Sequence, residues 1–182
     1  MRHFTILLFL MLISCKSETK TETENEIDTT VYEMWNSYTK SNPESQTNEL
    51  PESWYFHMNK ENANRLAQLT LNGKKQASSG LYSWYEEANA DLPKVGTKHI
   101  ITDFDGKAQA IIAIIKVDTI PFNEISEAYA ELDMGTKNEA LKKWRKAHWD
   151  FFASAMEESG EKPTEKMLIV CERFKTIWTK KE

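Results

Sequence analysis

Lys75 and Ser78 stand three residues apart in the small polar stretch Gly73-Lys74-Lys75-Gln76-Ala77-Ser78-Ser79-Gly80. A turn there sets an ammonium beside a hydroxyl, and a partly buried lysine that gives up its proton can deprotonate that hydroxyl and make it a nucleophile. An acid across a cleft would then protonate a leaving amine. The same residues have a plainer reading. Lys75, like its neighbour Lys74, suits the negative end of a preceding helix, and Ser78 suits a turn in which the hydroxyl bonds its own backbone. Near this basic turn Trp54, Tyr82, Trp84 and Tyr85 offer flat faces on which bases can stack, or which pack over the mouth of the fold. Arg173 lies in an otherwise apolar run and must pair with an acid or face a cleft. His148 sits between aromatic pairs on an apolar helical face and reads, with Trp144, Trp149, Phe151 and Phe152, as core. The four histidines and two cysteines have no metal-site spacing, so no metal and no cofactor is expected.

The chain that must position these groups has 182 residues, 40% hydrophobic and 28% charged, which fits one domain with a short excess. Its net charge is -5, and residues 31–182 carry 20 basic against 23 acidic residues. A polyanion meets no general attraction, so duplex DNA is not an expected partner and any RNA binding must rest on a local pocket. The excess is N-terminal. Residues 1–14 read as a signal peptide, one Arg followed by an apolar run from Phe4 to Ile13 that is too short to span a bilayer as a helix. Leu12-Ile13-Ser14-Cys15 resembles the bacterial lipobox, which implies lipidation of Cys15 and a mature protein that begins there. Residues 15–30 then form the lipidated cysteine and a disordered tether, with Ile27 as the one aliphatic residue in 16–30. Lys16 after the cysteine favours the outer membrane, on its periplasmic side or at the cell surface.

In residues 31–182 the apolar spacing of Val31, Met34, Trp35 and Tyr38 predicts a helix, and a second is predicted over 61–72 with Gly73 as its stop. A strand over 98–102, a turn at Asp105-Gly106 and a strand over 108–117 form a hairpin, the second arm being the central strand. A helix follows Pro121. The longest helix is expected to begin at Thr136, where Thr136-x-x-Glu139 has the form of a capping box, and Met167 to Phe174 reads as a closing strand. These elements predict an α+β fold, with an antiparallel sheet curled into a small barrel and helices covering one end.

Gly73-x-Lys75-x-x-Ser78, Leu92-Pro93-Lys94-Val95-Gly96, the segment 144–152 with its AHWxFF core, and Val170-Cys171-Glu172-Arg173-Phe174 together resemble the ASCH domain family, in a bacterial branch with the AHWxFF segment. The resemblance implies a PUA-like β-barrel with a cleft, linked to RNA binding and in some members to hydrolysis of amide-bearing nucleosides or cleavage of RNA. It implies Lys75, Ser78 and an acid, either Asp133 or Glu131, as a catalytic set; Ser79, Trp54, Tyr82, Trp84 and Arg173 are read from their residue types and positions as ligand contacts. The expected ligand is a small nucleoside-like molecule or single-stranded RNA, and the membrane is met through the lipid anchor. Amidohydrolase or ribonuclease activity stays open beside a second reading, an envelope interaction module that keeps the fold without catalysis.

Overall fold

A computed structural model describes residues 27–45, 49–157 and 160–179. The signal peptide and Cys15 lie outside the described residues, as does most of the tether. Of the tether's last residues, Asp28 caps helix α1 (Thr29–Ser41) by accepting from the Thr30 amide at 2.9 Å, so Thr29 and Thr30 are helical rather than tether.

The sheet has five strands in the order β1-β3-β4-β5-β2. These are β1 (Ser53–Trp54), β2 (Ala77–Leu81), β3 (Lys98–Thr102), β4 (Ala108–Pro121) and β5 (Leu168–Thr179). Only β1 pairs in parallel, with β3, so the sheet is mixed. The predicted closed barrel does not form: β1 and β2 are the two edges and do not pair with each other. Trp54 of β1 instead meets Ser78 and Ser79 of β2 across a cavity that both strands line. The curl is real, with register shifts between Ile111 and Ile112 and between Ile114 and Lys116, since bulges add local twist. The seam is left as a cleft.

As predicted, β4 is central, and its run of buried residues from Ala108 to Ile114 lets helices cover both faces. Val31, Met34 and Trp35 of α1 pack on Ile100 and Ile111. Ala67 of α2 (Lys60–Leu71) joins a separate cluster with Ile101, Ile112, Ile114 and Phe174. At the other end α4 (Glu127–Met134) and α5 (Ala140–Glu157) enclose Phe122, Tyr129, Trp144 and Phe152 against Leu81, Ile169 and Cys171. The short α3 (Tyr82–Glu87) carries the aromatic run.

The capping box at Thr136 is not made. The Thr136 hydroxyl accepts from Asn138, and Glu139 has φ 50°, a left-handed backbone that cannot be the third residue of a helix. The first turn of α5 takes its cap from α4, where the Glu127 carboxylate accepts from the Leu141 amide at 3.4 Å. The helix predicted after Pro121 is likewise split, into a 3₁₀ turn Phe122–Glu124 and α4, because Ser126 caps α4 by accepting from Tyr129.

Candidate functional site

Helix α2 ends at Leu71 with Asn72 as its C-cap, and Gly73 takes φ 65°, after which the amides of Lys74 and Lys75 both bond to the Leu69 carbonyl at 2.8 and 3.0 Å. This turn leaves Lys74 exposed and drives the Lys75 side chain inward, where it is 4% exposed. Its ammonium lies 4.8 Å from the centre of the Phe56 ring. Gln76 donates from its amide to the Leu132 carbonyl at 2.8 Å, tying the turn to α4. Tyr129 and Asp133, four residues apart on α4, therefore share the helix face that meets the turn.

Asp133 is the centre of the site. It is 2% exposed, and its Oδ1 pairs with the Lys75 ammonium, which also donates to the Asp133 carbonyl at 2.9 Å. Its Oδ2 accepts from Ser79 Oγ at 2.6 Å and from Trp144 Nε1 at 2.8 Å, and lies 3.3 Å from His148 Nε2. Trp144 and His148 are one turn apart on α5, and their rings stack at 4.3 Å. The His148 Nδ1 lies 3.0 Å from the Trp144 carbonyl and its Nε2 is turned to the Asp133 carboxylate, so both ring nitrogens meet oxygens that can only accept. Burial by itself would raise the Asp133 carboxyl, but the charges of Lys75 and then His148, with the hydrogen bonds of both, hold it well below the usual carboxylate range.

A cleft of about 630 Å³ opens above this cluster. The loop after β1 (Tyr55 to Met58), α2 (Arg65, Leu66), α3 (Trp84) and α5 (His148, Phe151) form its walls, and Lys75, Ser79 and Asp133 lie in its lining. Of the residues singled out in the sequence, Lys75, Ser78, Ser79, Asp133, Trp54 and Trp84 all line the cleft. Glu131 does not, so Asp133 is the acid the fold brings to Lys75. Tyr82 is half-buried at the start of α3 and does not line it. Arg173 takes the first of its two expected roles: it pairs with Asp118 at 2.5 Å and stands over the Tyr129 ring.

Two expectations change. The hydroxyl that meets the carboxylate is that of Ser79, not Ser78. Alternation along β2 puts Ser79 with its cross-strand partner Cys171 and Ser78 with Glu172, on opposite faces of the sheet. His148 is not sealed in the core but lines the cleft. Phe56, Arg65 and Tyr129 were not foreseen, and Tyr129 fixes β2 by donating to the Ser78 carbonyl at 2.6 Å. The signal for His148 was present, since Trp144 and His148 place two polar ring atoms one turn apart on an apolar stripe. Among the described residues no group of acids, histidines and cysteines could hold a metal ion.

A family model described as ASCH domain matches residues 52–178. The chain is similar to the crystal structure of an ASCH domain from Lactobacillus crispatus, at 30% identity and TM-score 0.75, covering 85% of this chain and 98% of that one. It is also similar to a DUF984 protein from Enterococcus faecalis, at 28% identity and TM-score 0.74, covering 82% and 89% of the two chains. No curated protein matches.

Proposed function

The chain belongs to the ASCH domain family, and from that premise we propose that it is a membrane-anchored binding protein whose cleft takes a nucleobase, in a free nucleoside or an unpaired stretch of RNA. ASCH domains have a PUA-like fold associated with RNA binding. The observation that carries the reading is the cleft's composition: aromatic walls at Trp54, Phe56, Trp84 and Phe151 over a polar floor at Lys75, Ser79, Asp133 and His148. Flat rings are held by stacking and their edges by fixed donors and acceptors. The lipobox-like Leu12 to Cys15 supports the anchor, with residues 31–182 as the domain it tethers.

Binding is favoured over hydrolysis by the same geometry. Lys75 spends its hydrogen bonds as a donor to Asp133, and a carboxylate held so far down accepts hydrogen bonds but is a weak base. Titration of nucleosides and a short oligoribonucleotide, followed by tryptophan fluorescence, tests the reading. Trp84→Ala is expected to weaken binding by about 1–3 kcal/mol, roughly five- to 150-fold. RNA affinity should depend weakly on salt, with a log–log slope of about -1 to -2 for two or three phosphates on a single strand. Absence of binding, or indifference to Trp84→Ala, overturns the proposal; turnover of N-acylated nucleosides would replace it with the hydrolase reading.

A further inference from the structure

Beside the main cleft, sharing Ser78, Ser79 and Trp84 with it, lies a second concavity of about 360 Å³ bounded by Gly80, Tyr85 and Glu172. Glu172 is the β5 residue directly opposite Ser78 of β2, so the two side chains rise from the same sheet face. The Tyr85 hydroxyl donates to its carboxylate at 3.4 Å. Among the described residues no cation pairs with Glu172. The cations around it are engaged elsewhere, Arg173 and Lys116 with Asp118 and Lys75 with Asp133. The charged side chains that act on it, Glu52 ahead of β1 and Asp133 of α4, are negative, and its β4 neighbour is the apolar Val117. Gly80 keeps the space open: a Cβ there would meet the rings of Trp84 and Tyr85 at 3.9 Å, so a longer side chain would occupy the concavity.

We propose that this concavity is a subsite for an organic cation, in which the Glu172 carboxylate and the rings of Trp84 and Tyr85 hold an ammonium group. An uncompensated carboxylate beside aromatic rings in a partly desolvated hollow is the chemistry that selects a weakly hydrated cation over an uncharged group of the same shape. Burial, with the charges of Glu52 and Asp133 and against the Tyr85 hydrogen bond, pushes Glu172 up to about 7. Binding of a cation therefore competes with a proton near neutrality. Tyr85, pushed well above the usual phenol range by its own burial and the nearby Glu172 charge, stays a phenol throughout, and Asp133 stays ionised.

The subsite shares the Trp84 wall with the nucleobase cleft but goes beyond that reading and is tested by its own probe. Choline has a fixed charge, and 3,3-dimethylbutan-1-ol is its uncharged isostere; both are titrated into the protein by calorimetry, with the Trp84 indole resonance as a second readout. Choline is expected to bind at least about tenfold more tightly at pH 8. Its apparent affinity should fall about tenfold between pH 8 and pH 6, as the ionised fraction of a group near 7 falls. Glu172→Gln should abolish both the preference and its pH dependence. Gly80→Leu should exclude choline while nucleoside binding in the main cleft survives, which keeps the test decisive if Glu172→Gln folds poorly. Equal affinity for the two probes, a preference that does not change with pH, no binding of either, or choline binding that survives both substitutions overturns the subsite. Loss of nucleoside binding with choline binding intact would sink the nucleobase reading alone.

Discussion

A carboxylate with almost no exposed surface must have its charge and its lone pairs matched, and Asp133 meets this with Lys75, Ser79, Trp144 and His148. The pair with Lys75 was legible through the family resemblance, which sets an acid at Asp133 or Glu131 across the cleft from that lysine. Its hydroxyl partner was not. Choosing Ser79 over Ser78 requires knowing the strand register, since a one-residue step moves a side chain to the other face, and both positions hold serine. Breaking a buried pair leaves one charge uncompensated, so Lys75→Met is expected to cost about 3–5 kcal/mol. Adding Asp133→Asn to it should cost less than the sum of the two single changes, by about 1–3 kcal/mol in a urea-denaturation cycle. Acid tests the same group. Asp133 titrates lower folded than unfolded, so its contribution is present above the unfolded carboxylate range, near pH 4, and is lost as pH falls below it. Glu172 has the opposite sign. Its carboxyl binds a proton more readily folded than unfolded, so stability declines as pH rises from the unfolded carboxylate range toward 7. Urea midpoints from pH 3 to pH 8 should therefore climb less steeply at low pH in Asp133→Asn and fall less toward pH 8 in Glu172→Gln.

At the level of elements, the site depends on two helix ends that meet. Helix α4 stops at Gly135, with φ 64°, directly after Asp133 and Met134, and this glycine abuts the turn that delivers Lys75. A Cβ at Gly135 would stand 3.3 Å from the Lys74 carbonyl carbon and 3.4 Å from Leu69 Cδ1. The backbone there cannot yield without moving Lys75, and a left-handed conformation already penalises a side chain. Gly135→Ala is thus expected to destabilise by more than about 1 kcal/mol and to disturb the ion pair, read as a lower urea midpoint together with a shifted Trp144 indole N–H resonance. Long periodic elements were legible: α1, α2, α5 and the β3–β4 hairpin all follow from apolar spacing and turn residues. The short edge strands were not. Ser53–Trp54 is two residues long, and Ala77-Ser78-Ser79-Gly80-Leu81 contains neither a β-branched residue nor a charge, so its strand state is imposed by pairing with β5. Thr136 misled because a capping-box spelling fixes only residue types, whereas Glu139 takes a left-handed backbone and the Leu141 amide finds its acceptor on Glu127 of α4.

Taken whole, the molecule leaves a seam where a barrel would close, and the cleft occupies that seam with edge strands on both sides. Edge strands invite pairing with other chains; here β1 is two residues long and β2 is overlain by Tyr129 and α3, which limits that exposure. No helix among the described residues is long and apolar enough to cross a membrane, and the anchor proposed from the lipobox-like motif is the lipid on Cys15. The preceding apolar run from Phe4 to Ile13 is about half the length that a spanning helix needs. Acyl chains act differently from a span: one is marginal, whereas two or more hold a soluble domain stably. Cys15→Ala leaves the apolar run, the tether and the folded domain unchanged and removes only the attachment atom. The substitution is therefore expected to move the protein from the membrane pellet to the soluble or retained-precursor fraction, and to abolish incorporation of labelled palmitate, while nucleoside binding by residues 31–182 is unaltered. A wild-type chain that takes up no label, or a substituted chain that pellets as before, would mean that Cys15 follows the apolar run by chance and that the domain works without an anchor.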